Sequence, residues 1–106
     1  MQRACFLLKV RQDRLDEYRQ YHRNVDAEML EAISQAGMHN YSLFLRKDGL
    51  LVGYFESENP KESLRAVGET DANARWQEKM APFFESGSGD LEKGAIQWLE
   101  QVFYLQ

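Results

Sequence analysis

The chain predicts an α+β fold in which one four-stranded antiparallel sheet carries its helices on one face. Three observations predict it. Short apolar stretches of strand character open and close the 106 residues. A long stripe at helical spacing follows the first of them, and the middle of the chain reads as a hairpin. The resulting order, β-α-β-β-α-α-β, is the split β-α-β arrangement of the ferredoxin-like plan.

Residues 3–10 (Arg-Ala-Cys-Phe-Leu-Leu-Lys-Val) are short and apolar and fit a largely buried strand. Gln12-Asp13 offers a turn and cap, with Asp16 and Glu17 in a first helical turn where the dipole favours acids. Leu15, Tyr18, His22, Val25, Met29, Ala32 and Ala36 then recur at spacings of three and four, predicting one long amphipathic helix closed by Gly37. His39 to Arg46 and Leu50 to Glu56 flank the turn Lys47-Asp48-Gly49 and predict a hairpin. Pro60 suits the first turn of a helix over about 60–69, where its missing N–H is unpaired in any case. Thr70-Asp71 caps another helix, whose apolar face carries Ala72, Trp76, Met80 and Phe83 or Phe84. Residues 86–90 read as a surface loop, and 96–105, with large side chains on both faces, as the closing strand. Helices can cover only one side of this sheet, yet its strands are apolar on both. The uncovered side predicts a homodimer with the two sheets facing each other.

One domain accounts for a chain of this length. Hydrophobic residues make up 43% and charged residues 28%, the balance of a globular protein rather than a disordered one. The net charge of −4, with no Lys/Arg block, argues against nucleic acid as a partner. The longest apolar run, Ala4-Cys5-Phe6-Leu7-Leu8, is far short of a membrane span, and no leader pattern opens the chain, so a cytoplasmic location is expected. One cysteine (Cys5) and two histidines (His22 and His39) make a tetrahedral zinc site an unfavourable reading, and no metal or cofactor is expected. No phosphate loop, Gly-x-Ser-x-Gly elbow, His-Glu-x-x-His helix or Cys-x-x-Cys pair is present.

What stands out is polar aromatic content where aliphatic residues would serve packing. Tyr18 and His22 are one helical turn apart and point toward the core stripe. Two readings stand: satisfied core groups with their polar tips on backbone, or a site. A leucine at either place would have carried no desolvation cost, which is the argument for a site. Tyr41 on the second strand and Trp76 on the last helix are open to the same two readings. A tryptophan can wall a sugar, whose C–H faces pack on aromatic rings while its hydroxyls seek polar tips. One imidazole, two phenols and one indole suit a small polyol undergoing proton transfer. Asp26 follows His22 by four residues and could bond it, though it falls off the stripe. His39 at an element boundary reads as exposed or structural, and Cys5 as a small hydrophobe.

The sequence resembles the L-rhamnose mutarotases over essentially its whole length. The resemblance rests on Glu17-Tyr18-x-x-x-His22, His39-Asn40-Tyr41-Ser42, Thr70-Asp71-x-x-x-Arg75-Trp76 and the Glu-Gln-Val-Phe-Tyr-Leu ending at 100–105. It implies a ferredoxin-like fold of the dimeric α/β barrel type and a cytoplasmic isomerase that interconverts the α and β pyranose anomers of L-rhamnose. By that likeness His22 is the proton donor, and Tyr18, Tyr41 and Trp76 contact the sugar. The chain departs from the family pattern at Asp26-Ala27-Glu28, where Trp-Pro-Glu is usual, and at Gln77, where a second tryptophan often stands. Both departures make the pocket more polar and bear on which sugar is taken. Three other readings compete: a mutarotase for another deoxy-aldose such as L-fucose, a cofactor-free monooxygenase of aromatics, and a non-catalytic sugar-binding module.

Overall fold

The computed structural model describes residues 1–87 and 96–106. Strand β1 (Gln2–Lys9) alternates as a strand covered on one side must. Phe6 and Leu8 are buried, while Arg3, Cys5, Leu7 and Lys9 on the other face are only half-covered. Strands β2 (His39–Leu45) and β3 (Leu50–Ser57) form the hairpin. β3 pairs with β1 as well, and β4 (Gln97–Leu99) adds to the far side of β1. The order is β2-β3-β1-β4, every neighbour antiparallel, so the expected plan is the one observed.

The register explains the centre of the core. Phe6 lies opposite Gly53, and a Cβ on that glycine would fall 2.0 Å from the Phe6 ring. Phe6 is fully buried, so the clash falls inside the core. Gly53→Ala is therefore expected to cost about 1–3 kcal/mol, the ordinary penalty of overpacking, read as a lower urea midpoint. Replacing Phe6 by Leu in the same chain should return part of the loss; an unchanged midpoint in Gly53→Ala would contradict this packing. At the hairpin turn Gly49 has φ +97°, and its backbone packs against the Val10 carbonyl. In β2 the register slips between His39 and Ser42, with Asn40 at φ +51°. That bulge sits beside Tyr41, at a place where bulges commonly re-aim a side chain.

The helices lie on the Phe6 face. Helix α1 (Leu15–His22) follows a short 3₁₀ turn, and α2 (Ala27–Gln35) comes next. The single long helix expected from the stripe is thus two. α1 stops at His22 and α2 begins at Ala27, and Asp26 between them has extended backbone at φ −51° and ψ 132°. Its carbonyl starts α2 by accepting from Met29 and Leu30, while its carboxylate is drawn to Lys79 Nζ at 2.8 and 2.9 Å. The stripe nevertheless stays in phase, since Tyr18 and Met29 are both buried. Helix α3 (Pro60–Gly68) opens with Asn59 Oδ1 accepting from Glu62 N, and α4 (Asp71–Met80) with Thr70 Oγ1 accepting from Asn73 N. Pro60 in the first turn of α3 and the Thr70 cap of α4 match the sequence reading, while the Asn59 cap adds to it.

The closing strand is shorter than expected. Only Gln97–Leu99 pairs with β1, and 100–106 is outside any strand. Beyond Leu99 the chain gives up the ladder, and Tyr104 lies over the Arg3 guanidinium, 3.6 Å from ring centroid to Cζ. Val102, Phe103 and Leu105 remain exposed, because one copy of this fold has nothing to cover both sides of that segment. Of the predicted loop over 86–90, the part from 88 on falls outside the described residues.

Candidate active site

The four side chains singled out from the sequence meet in one place. Tyr18 and His22 come from α1, Tyr41 from β2 and Trp76 from α4, and all line a cavity of about 400 Å³ between helices and sheet. That volume lies in the range of small-molecule sites, roughly 300–1,000 Å³. Apolar side chains, among them Phe6, Met29, Leu43 and Met80, make up most of the remaining wall.

His22 is the last residue of α1, half-buried, with Nδ1 2.9 Å from the Tyr18 carbonyl oxygen. A carbonyl can only accept, so Nδ1 carries the proton and the neutral ring leaves Nε2 with a free lone pair. No described residue bonds Nε2. Burial holds the imidazole below its ordinary value of 6.5, against the smaller upward pull of the Tyr18 carbonyl. The ring is therefore neutral at pH 7, with its open nitrogen a proton acceptor.

The aromatic neighbours fix that ring in place. Tyr18 lies 4.2 Å from it between centroids, tilted by 34°, and Trp76 meets it edge-on at 5.5 Å. Tyr18 is itself held by the edges of Phe83 and Phe84, at 6.4 and 5.8 Å. Tyr41 stacks on Phe55 at 5.9 Å and stands edge-on to Phe6 at 6.4 Å. Neither tyrosine hydroxyl bonds a described residue. Among the described residues no buried side-chain nitrogen or oxygen lacks a partner, so both hydroxyls open on the cavity. Burial pushes both phenols above their usual range, which keeps them protonated and able to donate. Neither tyrosine hydroxyl is satisfied by backbone, whereas His22 Nδ1 is.

Other residues fall where the chemistry does not need them. Asp26 is paired with Lys79 rather than His22, and beside it Glu28 holds Arg75 at 2.6 and 2.7 Å. The two ion pairs clasp α2 to α4, adjacent walls of the cavity. His39 is exposed, and Cys5 lies half-covered on the outer sheet face. Among the described residues no group of three or more His, Cys, Asp or Glu is placed to hold a metal ion. A polar cavity residue escaped the sequence reading: Asn73, buried on α4. Its signal was a polar residue in phase with Trp76 and Gln77, obscured by its place in the capped first turn.

With an imidazole, two phenols and an indole on one cavity between sheet and helices, the class is a small ferredoxin-like domain with a cavity under its helices. Solved structures share that fold. An L-rhamnose mutarotase from Formosa agariphila matches with a TM-score of 0.83 at 20% identity, covering 100% of both chains. An antibiotic biosynthesis monooxygenase matches with a TM-score of 0.63 at 16% identity, covering 96% of this chain and 99% of that one. Sequence separates the two. The family model described as L-rhamnose mutarotase matches residues 3–105. An L-rhamnose mutarotase from Bacillus subtilis is 39% identical over 106 residues, and one from Oceanobacillus iheyensis is 36% identical over 106, each covering 99% of both chains. The chain belongs to the L-rhamnose mutarotase family.

Proposed function

We propose that the chain, as one domain over 1–106, is an aldose mutarotase that interconverts the α and β pyranose anomers of L-rhamnose. The observation that carries this reading is the free Nε2 of a neutral His22, held at a sugar-sized cavity beside two protonated phenols. Anomer exchange moves one proton. His22 Nε2 takes it from the anomeric hydroxyl as the C1–O5 bond breaks and C1=O1 forms. The imidazolium so made gives a proton to O5, which becomes a hydroxyl. Half a turn about C1–C2 and the reverse transfers close the other anomer. His22 thus begins as base and acts as the donor that the family resemblance implies. Tyr18 and Tyr41 donate to sugar oxygens and Trp76 packs on the C–H face. A positioned acid/base group contributes about 10²–10⁴-fold, enough for a reaction that water already performs slowly and with no cofactor required.

Saturation transfer between the two anomeric proton signals of L-rhamnose tests the reading. The expected result is transfer that rises in proportion to protein concentration at pH 7. A rate equal to buffer alone would overturn it, and a higher rate on L-fucose would reassign the sugar.

The outer sheet face supports a homodimer. Phe44 is 64% exposed and Leu99 46%, beside half-covered Cys5, Leu7 and Val52, and the apolar 102–105 segment leaves the same edge. A contiguous apolar patch of this kind marks an interface. Facing sheets would bury it in the dimeric α/β barrel arrangement, and sedimentation should return twice the chain mass. Among the described residues no helix is long and apolar enough to cross a membrane. A cytoplasmic location is the accompanying proposal.

A further inference from the structure

Helix α4 brings a second polar group to the cavity that the proton transfer does not use. Asn73 is only 5% exposed and lines the cavity wall one turn from Trp76 and Gln77. Its backbone N–H is taken by Thr70 Oγ1 at 3.1 Å, and its side-chain carbonyl accepts from Gln77 Nε2 at 3.1 Å. No described residue takes Asn73 Nδ2 or Gln77 Oε1. Because no buried side-chain nitrogen among the described residues is closed off without a partner, Asn73 Nδ2 opens on the cavity. Turning both amides over changes which residue supplies which group but not the outcome: the pair still leaves one donor and one acceptor.

A hydroxyl both donates and accepts, and this pair offers its complement. The α3 and α4 wall around it is otherwise apolar, formed by Leu64, Val67, Trp76 and Met80. An open carboxamide in such a wall is unfavourable until a ligand completes it. We infer that the Asn73 carboxamide, oriented by Gln77, binds one non-anomeric hydroxyl of the sugar and so sets which aldose the cavity accepts. This inference rests on the proposed sugar site, with His22 handling the anomeric hydroxyl. Asn73 is a specificity residue, and Gln77 is its positioning residue.

Anomer exchange with L-rhamnose and its 2-, 3- and 4-deoxy counterparts tests it, in the native chain, Asn73→Leu and Asn73→Asp. The native chain should disfavour one of the deoxy sugars by about 10- to 100-fold in kcat/KM, the size of one lost buried hydrogen bond. Asn73→Leu should lose that same factor on L-rhamnose through KM, with kcat retained. Its rate on the disfavoured deoxy sugar should not change, so the ratio collapses toward one. Asn73→Asp keeps the side-chain outline and can still accept from Gln77, but removes the donor. It should show the same collapse, and it decides the matter if Asn73→Leu does not fold. Discrimination among the four sugars that stays within twofold of native in the folded variants overturns the inference and leaves the mutarotase reading intact. If the native chain binds these sugars by saturation-transfer difference NMR without exchanging anomers, the mutarotase reading falls. The binding ranks of native and variant then decide the inference. A native chain that neither binds nor exchanges any of the four overturns both.

Discussion

His22→Ala should reduce protein-catalysed anomer exchange by about 10²–10⁴-fold, to a rate hardly separable from buffer, while the chain stays folded. The ring is only half-buried and ends α1, so its loss removes neither a helix nor the centre of the core. What it removes is the one open nitrogen that the structure sets between Tyr18 and Trp76. KM should move far less than kcat, since the phenols and the indole that the proposed function sets against the sugar are left in place. Free imidazole added to the variant should restore part of the rate, because the space beside Trp76 then admits it. A purely packing role for His22 would give no such rescue. Exchange NMR on native and variant protein at equal concentration reads both effects, and equal rates would remove His22 from the mechanism.

Phe55→Ala should destabilise the fold by about 3–5 kcal/mol, a large share of the 5–15 kcal/mol typical of a domain. Phe55 is fully buried on the central strand β3, with Tyr41 stacked on one side and the Trp98 edge 6.5 Å away on another. Truncation leaves a cavity that neither neighbour can fill without tilting out of place. The urea midpoint should drop accordingly. In the molecules that remain folded, KM for the sugar should rise, because Tyr41 loses the surface that sets its angle. A loss below about 1 kcal/mol would mean that the sheet core closes around the gap and that Phe55 does not organise the site.

The fold was legible where local chemistry and tertiary packing agree. The short apolar run of β1, the Lys47-Asp48-Gly49 turn, Pro60 in the first turn of α3 and the Thr70 cap each carry their own geometry in a few residues, and each stands where it was expected. The break at Asp26 was hidden, because Val25 and Met29 keep the three-and-four spacing across it. Only the long-range partner Lys79 explains the local extension. A trace of the break was present in the family pattern, whose proline falls where Ala27 begins α2, the position proline prefers in a helix. The end of β4 was illegible for a different reason. Residues 100–105 have strand-like side chains, but a ladder needs a partner and a covered face, and one chain supplies neither there.

The site was legible through its cost. Tyr18 and His22 stand where leucine would pack without desolvation, and these two, with Tyr41 and Trp76, line one cavity. Which nitrogen of His22 is left open was not legible, since that follows from the Tyr18 carbonyl lying against Nδ1. Asn73 was missed because a polar residue in the capped first turn of a helix is already accounted for by the cap.

The central claim, that the neutral His22 ring carries the proton, is tested most directly by following anomer exchange and the His22 ring signals together from pH 5 to 8. Burial lowers the ring's pKa below 6.5, so the neutral, active form prevails at pH 7 and is lost on acidification. The catalysed rate should be flat near neutrality and fall on the acid side, with a midpoint below 6.5 that coincides with the ring titration. A rate that rises on acidification, or one that ignores the ring's titration altogether, would contradict the account.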